Sequence, residues 1–246
     1  MKEDTYQPRT YRHWIEGKDL VSFQVTVKET NLYIRAASNL QRKAQKAVIK
    51  YREQLEKYIG KNPAFKESLE PLPIDDNAPH VVKMMLEAGE EAGVGPMAAV
   101  AGAIAECVGK ELLEYSPEVI VENGGDIFLK SLKKRVVGIY AGESLLSGKI
   151  GLEIDPKDTP LGVCTSSGTV GHSLSYGKAD AMVVVASSAT LADAAATAIG
   201  NRVKKADDIT TAIVFGGDIN GIKGLVIIKG DTIGVHGDIS LCQIAR

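Results

Sequence analysis

The sequence predicts a single domain of mixed strands and helices, and three observations lead there. Short apolar runs of strand type stand near both ends and in the middle of the chain, and stretches of helical periodicity lie between them. The 246 residues, 44% hydrophobic and 24% charged, are enough to bury one core. No internal repeat or low-complexity tract divides the chain, so residues 1–246 read as one domain.

Taken in order, Tyr11 to Trp14 opens a strand, and Ser22 to Ala36 alternates Phe23, Val25 and Val27 with Leu32 and Ile34 across a polar turn, which predicts a hairpin. Ser38 is placed to cap a helix in which Leu40, Ala44, Val48, Tyr51, Leu55 and Tyr58 recur at steps of three and four up to Gly60. The charges between them form a solvated face. Asn62 to Asn77, broken by Pro63, Pro71 and Pro73, reads as a surface loop with the position of a lid. Helices follow from Pro79 to Ala88 and after Gly95-Pro96, where alanines and Gly102 imply close packing. Pro117 to Glu122 is a strand running into Asn123-Gly124-Gly125-Asp126; Val136 to Tyr140 and Lys149 to Ile154 are two more. Ala181 to Ala186 reads as a buried strand, and Thr190 is placed to cap a helix over Leu191 to Ile199 that stops at Gly200-Asn201. A short helix or strand at 210–215 and a meander over 224–229, 232–235 and 239–244 close the chain.

A net charge of −2 argues against general electrostatic binding to nucleic acid or to an anionic membrane. The first residues lack an apolar signal core, and the stretch from Val94 to Ala105 is too short to cross a bilayer, so a cytoplasmic protein is expected. Cys107, Cys164 and Cys242 have no paired spacing, which suggests neither a disulfide framework nor a zinc ribbon. Cys164 reads as a buried strand residue, although beside Thr165 a thiol there is also placed as a nucleophile or redox-sensitive group. Alanine- and glycine-rich helices on a sheet-rich domain are compatible with a homodimer.

Usable chemistry is densest between Leu161 and Val203. Thr165-Ser166-Ser167-Gly168-Thr169 opens a loop running to Lys178, whose glycines, hydroxyls and lysine suit phosphate-like oxygens and equally suit a surface turn. It matches neither a Walker A nor a Rossmann fingerprint. His172 in this loop is the histidine placed to act as a general acid or base, or to bond a phosphate. Asp193 and Thr197, four apart on one helix face, offer two hard oxygens suited to Mg²⁺, while the helix dipole and a bond from Thr197 to its own helix account for the same residues structurally. Asn123 and Asp126, at a strand end with Gly124 and Gly125, can hydrogen-bond a base, ribose or isoalloxazine edge; an Asn-Gly hairpin turn is the alternative.

The elements Asn123-Gly124-Gly125-Asp126-Ile127, Thr165-Ser166-Ser167-Gly168 and the strand-helix from Val183 to Thr197 stand in the order seen in the FAD:protein FMN transferase (ApbE) superfamily. That superfamily shows an N-x-G-G-D/E-I element, a T-S-G element and a strand followed by A-D-A-x-A-T-A. The match covers residues 119–203, and its compact spacing is closer to an ApbE-like branch than to the characterised transferases. The resemblance implies a T-fold-like α+β architecture, with largely antiparallel sheets packed with helices around a flavin or nucleotide cleft. It further implies Asp193 and Thr197 as ligands of a divalent metal that helps cleave the FAD pyrophosphate, so that FMN is joined to a Ser or Thr of a target protein. Asn123 to Asp126 and Thr165 to Thr169 would then hold FAD or FMN, with His172 and Asp193 as the catalytic candidates.

Two differences from the transferases are plain. Only 24 residues separate Gly168 from Asp193, so the H-x-x-D-P-x-T-G-x-P segment found there in transferases is missing. The upstream helix reads Ala-Val-Ala-Gly-Ala-Ile-Ala-Glu-Cys over residues 99–107, with no lysine where the transferases carry a lysine-glycine pair. Three functions therefore stay open: a metal-dependent enzyme on a flavin or other phosphate-bearing molecule, a non-catalytic flavin- or nucleotide-binding module, and an accessory subunit in anaerobic sulfur or homocysteine metabolism, a role suggested by family association.

Overall fold

The computed structural model describes residue 15 and residues 17–142, 144–166 and 177–244, with the side chain of Ser166 left out. Eleven strands fall into two antiparallel sheets among these residues. The larger has the order β1 (Val21–Val27), β2 (Thr30–Ala36), β3 (Val119–Asn123), β4 (Asp126–Lys130), β7 (Leu161–Ser166), β8 (Ala181–Ala186), β9 (Ile222–Lys229), β10 (Thr232–Gly237). The smaller joins β5 (Arg135–Gly138), β6 (Ile150–Ile154) and β11 (Ser240–Gln243). The helices are α1 (Gln41–Lys61), α2 (Ala64–Glu67), α3 (His80–Ala92), α4 (Val100–Leu112), α5 (Ala189–Gly200) and α6 (Ile209–Gly217).

Strand alternation sorts the core into layers. Ile120, Ile127, Leu129, Leu161, Val163, Val183 and Val226 of the large sheet pack with Val137, Ile139 and Leu152 of the small one. The opposite face carries Leu32, Ile34, Val121 and Phe128 against α1, α3 and α4, and Met182, Val184, Leu225 and Ile227 against α5 and α6. Helix α5 sits at the centre, buried at every residue except the half-buried Thr197. Alanine makes this possible: a helix wrapped in neighbours on all sides needs short side chains and loses little entropy by having them. Its approach is close enough that a Cβ on Gly162 of β7 would lie 2.3 Å from Ala189 Cα, and one on Gly102 of α4 would lie 2.1 Å from the Ala189 carbonyl oxygen.

Several boundaries differ from expectation. Helix α1 begins at Gln41 with Leu40, not Ser38, in the capping position, and the Asn39 side chain accepts the Gln41 N–H (3.0 Å). The 62–77 segment is not wholly a loop: α2 inserts Phe65, which is buried and meets the Tyr58 ring edge-on at 5.3 Å, tying the segment to the core. Ser188, not Thr190, caps α5 by accepting the Leu191 N–H; Thr190 is occupied with the buried Glu106, to which its N–H (3.1 Å) and hydroxyl (3.0 Å) both donate. Residues 240–243 leave the meander and pair with β6, Leu241 opposite Leu152. The strand expected at Tyr11 to Trp14 lies outside the described residues.

The two sheets are joined at one end by buried charge. Glu118 Oε2 accepts from Ser131 Oγ (2.6 Å), Leu132 N (2.8 Å) and Arg135 Nη2 (3.0 Å). Burial raises the Glu118 carboxyl, but these three donors outweigh it and hold the group below the usual range. Glu118→Gln leaves Arg135 without its buried partner, so it should cost about 1–3 kcal/mol at pH 7 in urea unfolding. Because the folded value is lowered, this contribution is complete above about pH 4.3 and is lost as pH falls through the folded value, so the wild-type and variant stabilities should converge in acid.

Candidate metal and cofactor site

The tip of the β3–β4 hairpin is Gly124-Gly125, both at positive φ (72° and 110°), with Asn123 directly opposite Asp126. Two left-handed positions in a two-residue connection need glycine. Gly125 is also held by its surroundings: its N–H donates to Glu122 Oε1 (2.9 Å), its carbonyl accepts from Thr165 N–H (3.0 Å), and a Cβ there would lie 2.7 Å from the Thr165 oxygen. Gly124 faces open space. The hairpin tip is thus stitched to the start of the hydroxyl-rich segment.

Asp126 shares its strand face with Phe128, the face that meets the helices, and in register it stands opposite Cys164 of β7. Cys164 lies on the same face as Gly162, where α5 comes closest. From α5, Asp193 completes the group. One ligand atom each from Asp126, Cys164 and Asp193 lie within 4.8 Å of one another, and all three residues are buried. Asp193 is anchored by the start of α4: its Oδ2 accepts the Gly102 N–H (2.9 Å), and Ala101 N–H also bonds the carboxylate. A carboxylate at a helix N-terminus is favoured by the unpaired N–H groups and the dipole. Asp126 Oδ1, by contrast, is buried with no hydrogen-bond partner.

The electrostatics are those of a site short of positive charge. Burial pushes the Asp126 carboxyl up to about 7, against a hydrogen bond from the Cys164 thiol and with a further push from Glu122. Burial likewise raises Asp193, helped by the Asp126 charge and opposed by the Gly102 and Ala101 N–H groups. The Cys164 thiol is raised by burial and then by the two aspartates. Among the described residues no lysine or arginine pairs with any of the three. A divalent cation is the usual partner for such a donor set, since it neutralises the carboxylates and deprotonates a coordinating thiol.

The other expected residues are placed as follows. Thr165 is half-buried on β7 opposite Val183, and Ser166 pairs through its backbone with Met182. Asn123 is half-buried and donates its amide to the Ala101 carbonyl (3.0 Å), at the same start of α4 that holds Asp193. Thr197 stands one turn beyond Asp193 on α5. Ser167, Gly168, Thr169 and His172 lie outside the described residues. Asp180, at the entry to β8, pairs with Lys229 (3.1 Å). Cys164 is a buried strand cysteine as expected; its place between two aspartates was carried by a signal available only with register, namely that it shares a face with Gly162 and stands opposite Asp126.

The architecture is that of the ApbE structures. It superposes on the apo flavinyl transferase ApbE of Pseudomonas stutzeri with a TM-score of 0.56 at 11% identity, over 88% of this chain and 94% of that one. It superposes on the ApbE protein of Thermotoga maritima with a TM-score of 0.57 at 13% identity, over 89% of this chain and 97% of that one. At those identities the likeness is one of fold. The sequence then places the chain itself: residues 12–214 match the model described as AbpE bacteria, and the chain belongs to that family. It is 43% identical over 222 residues to UPF0280 protein MJ1526 of Methanocaldococcus jannaschii, covering 88% of this chain and 90% of that protein. To UPF0280 protein MK0206 of Methanopyrus kandleri it is 45% identical over 225 residues, covering 89% and 91%. Among the described residues no single helix is long and apolar enough to cross a membrane.

A buried carboxyl raised to about 7 stays protonated in the folded chain over a range where the unfolded chain, at about 3.9, has already ionised. The metal-free protein should therefore lose stability between about pH 4 and pH 7. Asp126→Asn removes that loss, so the variant should melt higher than metal-free wild type at pH 8 and approach it only near about pH 4, measured by calorimetry after chelation.

Proposed function

We propose that this chain binds FAD, or another molecule carrying a phosphoanhydride, through a divalent cation held at Asp193, and that it acts as a metal-dependent flavin transferase. The observation that carries the reading is the buried, unpartnered Asp126 Oδ1 beside Asp193, at the meeting point of the hairpin tip, strand β7 and the start of α4. A polar atom left unpaired in that position costs free energy unless something binds it. The family supports the flavin, as does the fold shared with the flavinyl transferase of Pseudomonas stutzeri.

In this reading Asp193 holds the cation, Thr197 adds a hydroxyl from the next turn, and Asp126 helps neutralise it. The bound cation would screen the phosphate charge that grows as the FAD anhydride opens. The chain's own groups do the positioning. Gly124 gives the hairpin tip an open face that a flavin can approach, with Asn123, Gly125 and Asp126 beside it, and the hydroxyls of Thr165, Ser166, Ser167 and Thr169, with Gly168, supply donors for phosphate oxygens. His172 takes the proton of the acceptor hydroxyl. An acceptor Ser or Thr oxygen forms a bond to the FMN phosphorus as the bond to the AMP oxygen breaks, giving a phosphoester, AMP and one proton. A non-catalytic flavin-binding role is the second reading, and the missing segment between Gly168 and Asp193 favours it.

Fluorescence titration with FAD and chromatography for AMP, with and without added Mg²⁺ or Mn²⁺, separate the two. Wild type should bind FAD only with metal and release AMP. Thr197→Val, which leaves the α4 cap intact, should weaken metal-dependent binding about 10–100-fold, and Asp193→Ala should abolish it. Binding without AMP selects the second reading; no binding in any condition rejects the flavin.

A further inference from the structure

We propose that Cys164 is itself a ligand of the cation, and that this centre therefore takes a first-row transition ion such as Fe²⁺, Co²⁺ or Zn²⁺ in preference to Mg²⁺. The inference deepens the reading above and rests on its placing of a cation at Asp193. An all-oxygen site would use Asp193 and Thr197 and leave Cys164 as core packing.

Four observations favour the thiolate. First, the β4–β7 register sets Cys164 directly opposite Asp126, on the face that meets α5, so the two side chains cannot avoid each other. Second, the three ligand atoms lie within 4.8 Å of one another. Three ligands on one ion, with bonds of about 2.0–2.3 Å, stand about 3.3–3.8 Å from one another, so closing the set draws the side chains together by up to about 1 Å. Third, Asp126 is only 8% exposed, and its Oδ1 has no hydrogen-bond partner. A thiol donating to the other side of that carboxylate satisfies it only in part; a cation between the two satisfies both. Fourth, the charges fit: two carboxylates and a thiolate carry three negative charges, and the described residues bring no lysine or arginine to offset them.

The close packing reinforces the set. A Cβ at Gly102 would lie 2.9 Å from the Asp193 Cβ, and one at Gly162 would lie 2.4 Å from the Ser188 carbonyl carbon at the start of α5. Bare glycine backbone on both sides lets α5 bring Asp193 down onto the strand that carries Cys164. Ligand type then decides the metal. Mg²⁺ demands oxygens and retains waters, whereas a thiolate with two carboxylates suits the softer ions of the first transition row.

Cobalt reports the thiolate directly. Metal-stripped protein is titrated with Co²⁺ and followed in the near ultraviolet for thiolate-to-cobalt charge transfer, with circular dichroism as the check of folding. Wild type should develop the band at one equivalent; Zn²⁺ should displace the ion, and a large excess of Mg²⁺ should not. Cys164→Ser should lose the band and bind Co²⁺ about 10–100-fold more weakly, and Cys164→Ala provides the same comparison if the serine variant does not fold. Co²⁺ binding without the band, persistence of the band in both variants, or equal competition by Mg²⁺ overturns the thiolate ligand and leaves the flavin reading standing on Asp193 and Thr197. If wild type takes up no ion at all, the thiolate and the metal-dependent flavin reading fall together.

Discussion

Burying Asp126, Cys164 and Asp193 together is the constraint around which the rest of this fold is arranged. Each group is polar, each has its ionised form disfavoured, and the described structure brings no fixed positive charge to offset them. Apolar residues at the same positions would make a more stable core. A fold that keeps the acids, and supports one of them with two helix N–H groups, holds a costly arrangement in a defined geometry, which is how binding sites differ from ordinary interiors.

The support comes from α5. Because six of its eleven buried residues are alanine, the helix can lie in the middle of the molecule, with β7 on one side and α4 and α3 on others. Asp193 then reaches the first N–H groups of α4, and Asn123 reaches the carbonyl of Ala101 at the same helix start. Hairpin tip, helix start and central helix are thereby fixed to one another. Small residues are thus tied to function: each added methyl at Gly102, Gly125 or Gly162 would strike backbone before it met a flexible side chain.

Much of this was legible in the sequence. The hairpin at 21–36, the strands at 119–123 and 181–186 and the alanine helix follow from periodicity and composition, and the order of the Asn-Gly-Gly-Asp, Thr-Ser-Ser-Gly and Ala-Asp-Ala elements pointed to the family. Helix starts were less legible. Ser38 and Thr190 are both good capping types, yet Asn39 and Ser188 lie where the chain turns, and Thr190 is held by Glu106 from a helix over 80 residues away in sequence. The association of Cys164 with the aspartates was hidden for a related reason: cross-strand register and the approach of α5 are tertiary facts, and no local pattern encodes them. The strand at 240–243 reads from sequence as part of a meander because strand type is local and sheet membership is not.

The most direct measurement is a crystal structure of the protein grown with Co²⁺ or Mn²⁺, with anomalous scattering used to locate the ion. One peak is expected among Asp126, Cys164 and Asp193, at bonding distance from the carboxylates. A peak elsewhere, or an empty cluster in which the thiol and a protonated carboxyl simply hydrogen-bond one another, would contradict a metal centre at the heart of this fold.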